Sequence, residues 1–128
     1  MFFESTHRIM KTLTSLKDFY PEAKITLVTH ESWVEDEDHS IFDTIITQDV
    51  PLDNRAKLWG LSHTPYDITM YLDCDTVIEH EDISTVFDYL GDNDIMFTRN
   101  RPYNAKITKL SDTEEMIYHC GVFVYRKN

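Results

Sequence analysis

Near the start of the chain, "STHRIMKTLTSLKDFYP" sets Ile9, Leu13, Leu16 and Tyr20 at helical spacing. Ser5 or Thr6 supplies a cap and Pro21 a stop, so the pattern predicts an amphipathic helix. The β-branched run "AKITLVT" predicts a strand, and the acidic "HESWVEDEDHS" after it a solvated loop or a frayed helix. "DTIITQDV" predicts a second short strand, and "DNRAKLWGLSHTP" a helix capped by Asp53 or Asn54 and ended near Pro65.

The run "YDITMYLDCDTVI" is apolar on both faces, which predicts a strand buried under helices and not a sheet edge. "EDISTVFDYLG" predicts a brief helix stopped by Gly91, and "DIMFTR" another strand. "NRPYNAKITKLSDTEEM" reads as a long loop with a turn of helix in "SDTEE", before a final strand in "YHCGVFVYRKN". Strands alternating with helices predict one α/β domain over residues 1–128, with a mostly parallel sheet flanked by helices. Ligands of such sheets bind at the carboxyl ends of the strands.

A chain of 128 residues, 41% of them hydrophobic, can bury a sizeable core. Its 23 acidic against 12 basic residues give a formal net charge of −11. That balance argues against a nucleic-acid partner, because phosphate-backbone affinity rests on Lys and Arg. No apolar run approaches the roughly 20 residues of a membrane helix, and "MFFESTHR" lacks the apolar core of a signal peptide, so the expected location is cytoplasmic. Cys74 and Cys120 are far apart in sequence and lack the spacing of a zinc site; both read as small buried apolar residues.

The chemistry concentrates in "TMYLDCDTVIEHED", which sets Asp73 and Asp75 at the end of an apolar run. On a strand, residues i and i+2 share a side, so two ionised carboxylates would repel and call for a positive partner. Three readings compete. The pair ends a strand, with Asp75 capping the following turn; or it is a phosphatase nucleophile motif, although Thr76 then stands one position early; or it holds Mn or Mg for a nucleotide diphosphate. Hard oxygen ligands suit those ions, which bind through one or two carboxylates plus substrate phosphates.

Taken together, "KLWGLSHTPYDITMYLDCDTVI", "DIMFTRNRPYN" and "HCGVFVYRKN" resemble glycosyltransferases of the GT-A fold, the nucleotide-diphospho-sugar transferases, including the family 8 type. "SLKDFYPEAKITLVTHE" extends the resemblance to nearly the whole chain. The resemblance implies a Rossmann-like fold and transfer of a sugar from a nucleotide-sugar, a UDP-sugar, to an acceptor hydroxyl. It implies that Asp75 ligates the metal and that Asp73 contacts the metal or the nucleotide ribose. Lys57 then approaches the nucleotide or diphosphate, and Gly121 lets the donor sugar lie against backbone. His119 stands where relatives carry Asn or Gly, and either touches the sugar or is a satisfied strand histidine. Arg99 and Arg101 hold phosphate or acceptor, or are solvated. Met70, Tyr71, Phe97, Phe123 and Tyr125 alternate at strand spacing, which core packing explains.

Against that pattern, the chain starts at the loop and helix after the relatives' first strand. It also ends before the segment that supplies a third metal ligand. A missing central strand leaves unpaired edges for another chain to cover. Two expectations follow: a metal-dependent transferase domain, or a noncatalytic, truncated remnant that binds a metal or a partner.

Overall fold

The computed structural model describes residues 2–34, 39–53, 55–99 and 118–127. Helix α1 spans Phe2–Phe19, strand β1 Thr26–Val28, and a 3-10 turn Glu31–Trp33. Strand β2 (Thr44–Ile46), helix α2 (Arg55–Ser62) and strand β3 (Ile68–Leu72) follow. A second 3-10 helix at Ile83–Leu90, β4 (Ile95–Arg99) and β5 (Tyr118–Arg126) complete the described chain. The loop "NRPYNAKITKLSDTEEM", with its expected helical turn, lies outside the described residues apart from its flanks.

Each strand expected from the sequence is present, and α1 stops before Pro21. Its start differs. Ser5 and Thr6 lie within the helix, which already runs from Phe2. Asp53 caps α2 as expected: its Oδ1 accepts from the Arg55 backbone N–H at 2.8 Å. The second 3-10 helix ends at Gly91, whose φ of 53° lies in the region that favours glycine.

Among the described residues, the expected single, mostly parallel sheet is instead two small sheets. β1 and β2 pair in parallel, with Leu27 opposite Ile45. β3, β5 and β4 form an antiparallel sheet with β5 in the middle. The nine-residue β5 runs back between β3 and β4 and bonds to both, opposite in direction to each. Against β3 the register is regular, from Ile68 opposite Arg126 to Leu72 opposite Val122. Against β4 it breaks: Phe97 faces Phe123 but Thr98 faces His119, so Cys120, Gly121 and Val122 bulge out.

Phe123, 4% exposed, sits at the centre of an aromatic face, with ring centroids 5.0 Å from Tyr71, 5.4 Å from Phe97 and 5.9 Å from Tyr125. Tyr125 reaches α2, its hydroxyl donating to the Leu61 carbonyl at 2.8 Å. Fully buried Val124 is opposite both Met70 and Met96. A second cluster, Leu13, Leu16 and Ile25, joins α1 to β1 with Tyr20, Phe42 and Ile83 packed around it. Asp43 closes that corner: its carboxylate accepts from the Ile25 backbone N–H at 2.8 Å and from Lys17 Nζ at 3.0 Å. The backbone bond, then Lys17, holds its pKa well below the usual carboxylate range, at about 2.

β3 is also not the buried central strand that its apolar sequence suggests. It ends its sheet, and none of its residues is buried. The Asp73 N–H donates to the Gly121 carbonyl and the Lys127 N–H to the Asp67 carbonyl, so odd-numbered residues of β3 bond toward β5. Ile68, Met70 and Leu72 therefore aim their backbone groups the other way. There an open cleft of about 890 Å³ separates β3 from β1, lined by Val28, Gly60, Met70 and Leu72. Tyr66 spans one end of it, its hydroxyl 2.7 Å from Thr26 Oγ1.

This arrangement sets the hydrogen-exchange pattern of β3. Tyr71 and Asp73 amides, bonded to β5, are expected to be protected, whereas those of Met70 and Leu72 exchange near the unprotected rate. Uniform protection along the strand, read by NMR, would show that the cleft edge is paired.

Candidate functional site

β3 ends at the chemistry. Position 73 is still tied to β5, since the Asp73 N–H donates to Gly121 O at 2.8 Å. The chain then turns, with the Thr76 N–H donating to the Asp73 carbonyl at 3.0 Å. That turn changes the relation expected between the two aspartates. Asp73 is the first residue past β3, still bonded to β5, and Cys74 and Asp75 form the turn, so the strand rule that puts i and i+2 on one side does not hold between the two aspartates. Thr12 of α1, 4% exposed, donates from Oγ1 to the Thr76 carbonyl, so the first helix pins the far side of the turn.

The positive partner of Asp73 is a protein group. Lys57 Nζ lies 3.3 Å from Asp73 Oδ1 and donates to the Cys120 carbonyl at 2.8 Å. It also stands 4.4 Å from the centroid of the Tyr71 ring, over its negative face. The ion pair is about one-third exposed on each side, so water screens it and its contribution to stability is small. Its use is positional. An ammonium held by a carboxylate, a carbonyl and a ring is presented at a fixed place beside the end of β3.

Tyr71 completes the cluster, its hydroxyl donating to Asp73 Oδ1 at 2.5 Å. Burial first, and then that hydrogen bond to a carboxylate, push the phenol above its ordinary range. Sequence reasoning gave Tyr71 only a packing role. The signal was present, because Tyr71 and Asp73 are two apart on a strand and share a face.

Both contacts to Asp73 fall on Oδ1, and no described residue bonds Oδ2. Asp75 is exposed, and no described residue bonds its carboxylate. These oxygens remain available to a cation, yet no group of three His, Cys, Asp or Glu able to hold one forms among the described residues. Carboxylate oxygens are of the kind that binds Mg or Mn together with substrate phosphates and waters.

The other expected site residues are placed unevenly. Gly121 is buried on β5, its carbonyl bonded to Asp73. His119 lies two residues before it, opposite Thr98. Arg99 ends β4, exposed and opposite Tyr118, while Arg101 lies outside the described residues. Lys57, Asp73 and Gly121 are brought together directly, and Asp75 adjoins them through the turn. Among the described residues no helix is long and apolar enough to cross a membrane. No family model matches the chain, and no curated protein or solved structure is significantly similar to it.

The Tyr71 phenol gives a direct check. A raised folded-state pKa makes its contribution to stability complete below the unfolded value, near pH ~10, and progressively lost above it. An ultraviolet titration is expected to show one tyrosine ionising above the ordinary range, absent in Tyr71→Phe. A titration curve whose high-pH step survives that substitution would remove Tyr71 from this account.

Proposed function

We propose that this chain is a GT-A-like, metal-dependent glycosyltransferase domain that binds a nucleotide-sugar, a UDP-sugar, and passes the sugar to an acceptor hydroxyl. The observation that supports this best is the meeting of Lys57, Asp73 and the Gly121 backbone at the end of β3, with the Asp75 carboxylate free on the adjoining turn. A chain carrying a net charge of −11 needs a local cation to accept a diphosphate, and Lys57 is the ammonium placed to do so.

Each residue then has a chemical part. Asp75 and Asp73 Oδ2 would hold Mn or Mg. That ion, when bound, neutralises charge developing on the leaving diphosphate. Lys57 would turn from Asp73 toward a phosphate oxygen while keeping its bond to the Cys120 carbonyl. Tyr71 holds Asp73 Oδ1 in place through the exchange. Gly121, lacking a Cβ, would allow the donor sugar close to backbone. In the same reading the two small sheets belong to one larger sheet, with a further strand filling the cleft between β1 and β3.

That cleft also favours the second reading, a noncatalytic domain whose free edges pair with another chain. Calorimetric titration of UDP into the folded chain separates the two. Binding is expected with Mn, to fall about tenfold or more without it, and to weaken by a similar factor, ~1.4 kcal/mol, in Asp75→Ala. Heat that is the same with and without Mn, or unchanged in Asp75→Ala, contradicts the transferase reading. A well-folded chain that binds no UDP favours the partner-binding domain.

A further inference from the structure

The outer edges of β1 and β3 look into the same cleft, and among the described residues no strand lies between them. On β1 the Ile25 carbonyl accepts from the Thr44 N–H, and the Thr29 N–H donates to the Ile46 carbonyl, so odd-numbered residues bond toward β2. Thr26 and Val28 therefore aim their backbone groups into the cleft, as Ile68, Met70 and Leu72 do from the other wall. The two strands run the same way along it. Tyr66, just before β3, bonds Thr26 at the start of β1, while α2 meets the far end of each, Lys57 at Asp73 and Gly60 against Val28. One tyrosine side chain and one hydrogen bond thus bridge the walls, a reach close to the about 9.5 Å of two interstrand steps. Helices cover both faces: Ile25 packs with Leu13 and Leu16 of α1, and Val28 lies where a Cβ on Gly60 of α2 would stand 3.2 Å from its Cγ1. Three positions apart on an extended chain, Ile25 and Val28 point to opposite sides. From Ile25 to Val28 on one wall and from Ile68 to Leu72 on the other, no residue is charged, in a chain with 23 acidic and 12 basic residues.

We propose that this cleft is the docking site of one extended peptide segment of another protein, about five residues long to match β3, uncharged and apolar at successive positions. Its main chain would bond β1 on one side and β3 on the other, joining the two small sheets into one. Burial between α1 and α2 calls for apolar residues at successive positions, where a strand covered on one face would alternate. The uncharged walls match an uncharged occupant. A small apolar ligand would fill the same volume but leave the edge N–H and carbonyl groups without partners once water is excluded, which an extended main chain does not. The proposal rests on the open cleft that both readings above share, and not on nucleotide binding.

The test is an NMR titration of the folded chain, without UDP or Mn, with a valine and isoleucine peptide of that length carrying lysines at its ends for solubility. Amide exchange at Val28, Met70 and Leu72 is expected to slow about tenfold or more, while Tyr71 and Asp73, already bonded to β5, change little. A peptide with the same side chains but N-methylated central amides is expected to bind more weakly by about tenfold or more, because it lacks the donors that the edges require. Unchanged exchange at Val28, Met70 and Leu72, equal binding of the two peptides, or protection that rises with protein concentration alone, the mark of a second copy in the cleft, would each overturn the proposal.

Discussion

The pairing of β5 between β3 and β4 is the constraint on which the rest of the described structure depends. It carries Phe123 and Val124 into the centre of the sheet, where they meet side chains of both neighbours. It also makes the site. Asp73 is held by the Gly121 carbonyl, and Lys57 is anchored by the Cys120 carbonyl, so two successive backbone groups of one strand fix both members of the ion pair. The bulge at Cys120, Gly121 and Val122 lies at this point of β5, as bulges commonly do where a strand must re-aim its backbone.

Electrostatics then assign separate tasks to two nearby carboxylates. Asp73 is engaged on one oxygen by an ammonium and a phenol, while Asp75 stands in solvent on the turn. α1 supports that difference from a distance, because Thr12 holds the Thr76 carbonyl. A cation arriving with an anionic ligand would meet one restrained and one free carboxylate, with Lys57 beside them. The weak, partly exposed ion pair suits such an exchange better than a deeply buried one, whose separation would leave a charge uncompensated.

Much of this was legible in the sequence, and the exceptions share a cause. Helix α1, the five strands and the Asp53 cap follow from periodicity and capping chemistry, which act over a few residues. Asp73, Lys57 and Gly121 stand out in the sequence as site residues, and the fold brings them together. What could not be read was long-range. The apolar faces of β3 look central, but its outer edge meets an open cleft; nothing within "YDITMYL" says which strand will lie alongside. The antiparallel return of β5 and the grip of Thr12 on Thr76 both join residues more than forty positions apart. Tyr71 differs, for its two-residue spacing from Asp73 is local and places its hydroxyl on the carboxylate.

The central claim is that the end of β3 receives a cation together with a nucleotide diphosphate. Paramagnetic broadening by Mn in the presence of UDP, read from backbone amide signals, tests it most directly. Broadening centred on Asp73 through Thr76 and on Gly121, and dependent on UDP, is the predicted result. Broadening that ignores UDP, or that centres on the acidic stretch from Glu79 to Asp82, would contradict it.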